Sequence, residues 1–232
     1  MHDWKQCRTI LFDVNETLLD IRPLEADFAR WFNDAAVMRL WFGQLVMHSQ
    51  SLTLSGQYRG FGVLAKAMLA MVAETKGVRL PDDAGNVLVD RIVSLAPHPD
   101  VIPALTRLRD ASYRLGALTN SSADALATQM EHAGLNKLLP FQMSVEACGR
   151  YKPDPAPYRT AATALGVAPE EILLVACHAW DTLGASAAGL HSAFLQRPGC
   201  ARIDLPDVHV ADIAFDSLTA LANELCGAGP PS

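Results

Sequence analysis

Asp13 closes the apolar run Ile10-Leu11-Phe12, and the polar turn Val14-Asn15-Glu16-Thr17-Leu18 follows it. If that run is a strand of an open α/β sheet, the carboxylate points into the crevice where such sheets bind ligands. A carboxylate placed there is a candidate nucleophile, because covalent catalysis splits one slow displacement into two easier steps. An Asp at a strand end is more often a turn or cap residue, so its neighbours decide. Three further stations stand at comparable strand ends: Leu118-Thr119-Asn120-Ser121-Ser122, Tyr151-Lys152-Pro153-Asp154 and Cys177-His178-Ala179-Trp180-Asp181. Singly, the Lys-Pro-Asp stretch reads as a solvated turn and Tyr158 as a helix packing residue. The ordered set is what points to chemistry.

The elements that must position these stations show in the hydrophobic pattern. Short apolar runs bounded by turn residues alternate with amphipathic stretches, as in βαβ units of a parallel sheet. Strands are expected at residues 9–14, 115–118, 172–176 and 192–195, with a last short one at 208–210. The unbroken run Ile172-Leu173-Leu174-Val175 suits a strand covered on both faces. Residues 20–96 interrupt the rhythm with helical patterning such as Phe28, Trp31, Phe32 and Ala35, and Pro97 and Pro99 mark the return. The expectation is a doubly wound parallel-sheet (Rossmann-like) α/β core over residues 1–19 and 97–226, an inserted helical cap over 20–96, and a disordered tail at 227–232. The site should lie where core and cap meet.

Composition bounds the partners. The 232 residues are 50% hydrophobic and 19% charged, a globular balance. A net charge of −6 without a Lys/Arg cluster excludes the concentrated positive field that nucleic-acid binding needs. The first apolar run is short and contains Asp13, so no membrane segment is expected. Cys7, Cys148, Cys177, Cys200 and Cys226 are scattered without a CxxC pair, which signals neither a disulfide framework nor a zinc site, and a reducing cytoplasm is the expected home. Cys177 reads as a small core residue.

Asp, then Thr/Ser, then Lys-Pro, then Asp before the Gly- and Ala-rich stretch Gly184-Ala185-Ser186-Ala187-Ala188-Gly189 resembles the four motifs of the haloacid dehalogenase superfamily, over nearly the whole chain. Most of that superfamily are phosphohydrolases, in which an acid two residues after the nucleophile protonates a basic leaving alkoxide. Here that position is Asn15, and a halide needs no proton to leave. Phosphatases of the superfamily also hold magnesium with an acidic pair spaced by four, yet Cys177 stands four before Asp181. A thiol is a poor magnesium ligand, so a site without metal or cofactor is expected.

The remaining details resemble the type II, or L-2-haloacid, dehalogenases: Asn15-Glu16-Thr17-Leu18, Tyr58-Arg59-Gly60-Phe61, Ser121, Tyr158 and Ala179-Trp180-Asp181. That resemblance implies hydrolysis of a small 2-haloacid to a 2-hydroxy acid, through displacement of halide from Cα with inversion and an aspartyl ester. By position, Asp13 is the nucleophile and Lys152 keeps it ionised. Thr17, Thr119 and Asn120 hold the substrate carboxylate, Asp13 or the halide. Asp181 orients or deprotonates the water, Tyr158 positions Lys152 and substrate, and Phe61, with Trp180, belongs to the substrate pocket. The resemblance also implies a homodimer through the helical region, with residues 31–47 as a possible surface.

Three positions depart from the pattern. The family's halide-binding arginine after Leu-Trp is Phe42 here, and Arg39, three residues earlier, is either a substitute or a surface residue. Ala176 and His178 replace a Ser and an Asn near the hydrolytic water. His178 could bond halogen, substrate or water, or be a structural histidine on backbone. Bulky Phe42 and His178 imply a tight pocket and small substrates such as haloacetates, fluoroacetate among them. Two rivals stay open: a magnesium-dependent phosphatase of the same superfamily and a catalytically silent binding protein.

Overall fold

A computed structural model of the chain describes residues 3–227. The apolar runs form six parallel strands, β1 (Thr9–Phe12), β2 (Arg114–Thr119), β3 (Phe141–Ser144), β4 (Ile172–Ala176), β5 (His191–Leu195) and β6 (Ile213–Phe215), paired in the order β3-β2-β1-β4-β5-β6. Side chains alternate across the sheet, so Ile10 and Phe12 join one apolar cluster and Leu11 joins the other. Helices α5 (Val101–Asp110), α6 (Ala123–His132), α7 (Pro155–Leu165), α8 (Ala179–Ala187) and α9 (Leu218–Cys226) accompany the strands. The doubly wound α/β expectation holds. Strand order reverses between β1 and β4, and the crevice beyond their carboxyl ends is where Asp13 and Cys177 emerge.

Two strand expectations need correction. β3 was not foreseen, because Phe-Gln-Met-Ser is short and carries a polar Gln142 tolerated at a sheet edge. Residues 208–210 form no strand; only an isolated bridge joins Leu205 and Val208, and the last strand lies at Ile213–Phe215. Apolar residues in that exposed loop imitated a strand. Of the expected tail, residues 228–232 lie outside the described part.

Between β1 and α5 run four helices, α1 (Leu24–Phe32), α2 (Val37–Leu54), α3 (Phe61–Lys76) and α4 (Ala84–Val93). Acidic Glu25 and Asp27 sit in the first turn of α1, where they suit the helix dipole, and Asn33 at φ 55° ends it in the left-handed region. Phe28 packs on Trp41 with ring centres 5.4 Å apart, and the Trp41 indole N–H donates to Ala65 O at 3.0 Å, tying α2 to α3. Trp31 and Trp41 are therefore interior, and the apolar side chains left exposed are Leu40, Met47, Leu54 and Val63. Among the described residues, no helix is long and apolar enough to cross a membrane.

Candidate active site

Asp13 is fixed at the switch point by its own backbone, whose N–H donates to Val175 O at 3.0 Å. Lys152 reaches it from the turn before α7, where its N–H donates to Asn120 Oδ1 at 3.0 Å. The Lys152 side chain is wholly buried, and its three protons are all used: Asp13 Oδ1 at 2.9 Å, Leu118 O at 2.9 Å and Asp181 Oδ2 at 2.6 Å. Tyr158, also buried, donates to Asp181 Oδ1 at 2.6 Å. Close packing enforces this: a Cβ on Gly184 would stand 2.5 Å from Pro153 Cβ and 2.6 Å from the Tyr158 hydroxyl.

The second oxygen of Asp13 faces the turn after β1. Thr17 Oγ1 donates to Asp13 Oδ2 at 2.8 Å and accepts the Cys177 N–H at 3.0 Å, bridging the ends of β1 and β4. Arg197 Nε donates to Thr17 O at 2.9 Å, and His98 Nε2 meets Glu16 O at 3.0 Å, pinning the turn. Glu16 occupies the left-handed region at φ 68°, unusual for a residue with a side chain, and the bend turns its carboxylate inward. His178 Nδ1 lies 3.2 Å from Asp13 Oδ2 and its Nε2 lies 2.9 Å from Glu16 Oε2, while Arg39 pairs with Glu16 Oε1. Trp180 stacks on His178 at 5.0 Å and Phe42 flanks it at 5.6 Å.

These contacts set the charges. Burial works against ionised Asp13, but Lys152 and His178 outweigh it and hold the carboxyl far below its ordinary range. Burial likewise opposes the Lys152 cation, yet Asp13 and Asp181 raise its pKa. Asp181 is pushed up by burial and by the Asp13 charge, against the pull of Lys152. His178 overcomes burial through Asp13 and Glu16 and rises to about 10, so at neutral pH both ring nitrogens donate. Asp13 thus sits between two cations. Its oxygens face ammonium, imidazolium and hydroxyl donors, and Cys177 puts a thiol beside Thr17, a donor set that does not fit magnesium.

Asn15, two residues after Asp13, borders a small apolar cavity of ≈ 10 Å³ whose other walls include Trp41, Phe42, Leu45, Phe61 and Leu95. Asn15 cannot turn freely: its Nδ2 donates to Ser121 Oγ at 3.0 Å and its Oδ1 accepts from Gln129 Nε2 at 2.8 Å. An outer hollow of ≈ 460 Å³ shares Phe42 and includes Arg39, His178, Trp180 and Cys200.

Of the residues expected from sequence, Asp13, Thr17, Lys152, Tyr158, His178 and Asp181 join one hydrogen-bonded network, and Asn15, Phe42 and Phe61 share the cavity. Several roles shift. Tyr158 touches neither Lys152 nor open space; it reaches Lys152 through Asp181. Both Asp181 oxygens are engaged by Lys152 and Tyr158. Thr119 Oγ1 accepts the Ser121 N–H at 3.1 Å and Asn120 holds the Lys152 backbone, so both brace loops. His178 bonds carboxylates through both nitrogens, not backbone, and Arg39 is an ion-pair partner, not a free surface arginine. Glu16 was missed as a site residue. Its only sequence signal was an acid inside the motif, and its role depends on the left-handed turn.

Similarity to known proteins agrees with this geometry. The family model described as haloacid dehalogenase-like hydrolase matches residues 7–189. (S)-2-haloacid dehalogenase 4A of Burkholderia cepacia is 32% identical over 199 residues, covering 83% of this chain and 84% of that protein. (S)-2-haloacid dehalogenase 1 of Pseudomonas sp. (strain CBS-3) is 30% identical over 192 residues, covering 82% and 85%. A crystal structure of an L-2-haloacid dehalogenase superposes with a TM-score of 0.89 at 26% identity, covering 95% of this chain and 99% of that one. The chain belongs to the haloacid dehalogenase-like hydrolase family.

Proposed function

We propose that this chain is a 2-haloacid dehalogenase that converts small 2-haloalkanoic acids, haloacetates foremost, to 2-hydroxy acids. An Asp13 carboxylate oxygen attacks Cα, the carbon–halogen bond breaks, and halide departs with the electron pair. The resulting ester on Asp13 is hydrolysed by water, which returns the carboxylate and releases the hydroxy acid and a proton. The observation that carries this reading is an Asp13 kept ionised by Lys152 and His178, with Asn15, on the wall of an apolar cavity, standing where a phosphatase needs an acid. A weakly basic halide leaves without that acid, whereas an alkoxide does not.

In this reading Thr17 and Lys152 orient the two oxygens of Asp13, and Phe42, Phe61 and Asn15 enclose the halogen. Arg39 and His178 supply positive charge near the leaving halide or the substrate carboxylate. Asp181 acts on water only if Lys152 or Tyr158 yields one of its oxygens; otherwise it positions Lys152. Residues 20–96 serve as a helical cap over the core at 1–19 and 97–226. Exposed Leu40, Met47, Leu54 and Val63 on α2 and α3 support a homodimer through that cap, and five free cysteines suit a reducing cytoplasm.

The test is intact-mass analysis after a pulse of chloroacetate, with halide release measured in parallel. The expected result is a substrate-derived adduct and halide from the native chain and neither from Asp13→Asn. Turnover of p-nitrophenyl phosphate that needs both magnesium and Asp13, without halide release, defeats the proposal.

A further inference from the structure

Glu16, Cys177, His178 and Cys200 each bring one ligand atom into a group whose members all lie within 4.8 Å of one another. They come from the turn after β1, the end of β4 and the loop after β5, so their separation along the chain carries no metal signature. We infer that these four side chains form a zinc-binding site that blocks the mouth of the pocket and inhibits the enzyme.

Two thiols, an imidazole and a carboxylate are the ligand types zinc takes in tetrahedral sites. Bonds of about 2.0–2.3 Å at tetrahedral angles place donor atoms about 3.3–3.8 Å apart, so the widest pairs need close by about 1–1.5 Å and the His178–Glu16 pair, at 2.9 Å, need open slightly. The neighbours already divide the work. His178 turns Nδ1 to Asp13 Oδ2, which leaves Nε2, 2.9 Å from Glu16 Oε2, on the cluster side. A carboxylate behind a ligating histidine is the usual way its ring is oriented toward metal. Arg39 occupies Glu16 Oε1, so Oε2, now bonded to His178 Nε2, is the oxygen turned to the cluster, and a metal would replace the proton between the two. Cys177 and His178 stand at the rigid end of β4, and the Cys200 N–H is held on Arg197 O at 3.0 Å.

Neither Lys152 nor Asp181 contributes a ligand, and His178 is the residue the cluster shares with the network around Asp13. All four ligands line the outer hollow, so a bound zinc spans its mouth. The inhibition rests on the dehalogenase reading; the metal site does not.

The experiment titrates the purified full chain, stripped with a chelator, with cobalt(II) and then displaces it with zinc. The expected result is one cobalt per chain with thiolate-to-cobalt charge-transfer absorption, zinc affinity tighter than about 1 µM, and at least tenfold weaker binding in Cys200→Ser and Cys200→Ala. Cys226→Ser should match the native chain. Absence of the charge-transfer band, or equal affinity in the Cys200 variants, overturns the site. Zinc should suppress halide release from the native chain and spare Cys200→Ser, and dehalogenation indifferent to bound zinc overturns the inhibitory role. A chain that binds zinc as expected yet releases halide from no haloacid sinks the dehalogenase reading and leaves the site standing.

Discussion

The ammonium of Lys152 donates to Oδ1 of Asp13 at 2.9 Å, with the lysine wholly out of solvent. The same cation holds Asp181 at 2.6 Å, so one buried positive charge serves two buried carboxylates. Removing one partner of such a group leaves uncompensated charge, which costs about 3–5 kcal/mol. Lys152→Met should lose that much stability in chemical denaturation. Asp13 would then also gain a proton more readily, and halide release should fall at least about 1000-fold. Lys152→Arg should not rescue it, because five guanidinium donors cannot be satisfied where three acceptors are arranged. Near-native turnover in Lys152→Met would remove the basis for an ionised nucleophile.

His178 gives the pH dependence a definite sign. Its pKa rises from an ordinary value near 6.5 to about 10 because Asp13 and Glu16 hold the charged ring. The imidazolium therefore contributes stability that is fully present below about pH 6.5 and lost as pH climbs through about 10. His178→Asn should melt well below the native protein at pH 6, with the gap closing by about pH 10. Thermal melts at three pH values check this. A gap that widens toward alkaline pH would mean that the ring is neutral in the folded protein.

Gly184 tests the packing behind the catalytic group. It lies in α8 without an unusual backbone angle, and its requirement is space, since Pro153 and Tyr158 approach to 2.5 and 2.6 Å of where a Cβ would be. Gly184→Ala should destabilise by about 1–3 kcal/mol, the usual cost of overpacking. It should also push Tyr158 off Asp181, loosening Lys152. The expected signature is a lower kcat with little change in KM, because no lining residue of the cavity moves. A change in KM alone would point to a different connection.

Much of this was legible in the sequence for a physical reason. Asp13, Lys152 and Asp181 follow strands or turns whose apolar runs declare themselves, and a doubly wound sheet brings strand ends together. What was not legible depends on distance in space or on backbone conformation. Glu16 looked like any acid in a turn; only φ 68° aims it at His178 and Arg39. Gln129, which fixes Asn15, lies 114 residues away and buried inside α6. β3 and β6 are short edge strands, where patterning is weakest.

Phe42 should set substrate size. It stands where the family's arginine is expected, walls the ≈ 10 Å³ cavity and also borders the outer hollow, so it separates the two spaces. Its ring lies 5.6 Å from His178 and 6.2 Å from Trp41, which fixes its plane between cation and core. A methyl group on Cα of the substrate must find room against this ring, whereas chloroacetate has only hydrogen there. A methylene-sized misfit in an apolar pocket is worth about 1–3 kcal/mol, or about 10- to 200-fold in kcat/KM. Phe42→Ala should therefore lower the ratio of kcat/KM for chloroacetate over 2-chloropropionate by at least tenfold. The stability cost should stay below the about 3–5 kcal/mol of a fully buried Phe→Ala change, because Phe42 is only partly buried. If the ratio is unchanged, the pocket wall lies elsewhere, and Phe61 on the neighbouring α3 becomes the residue to truncate.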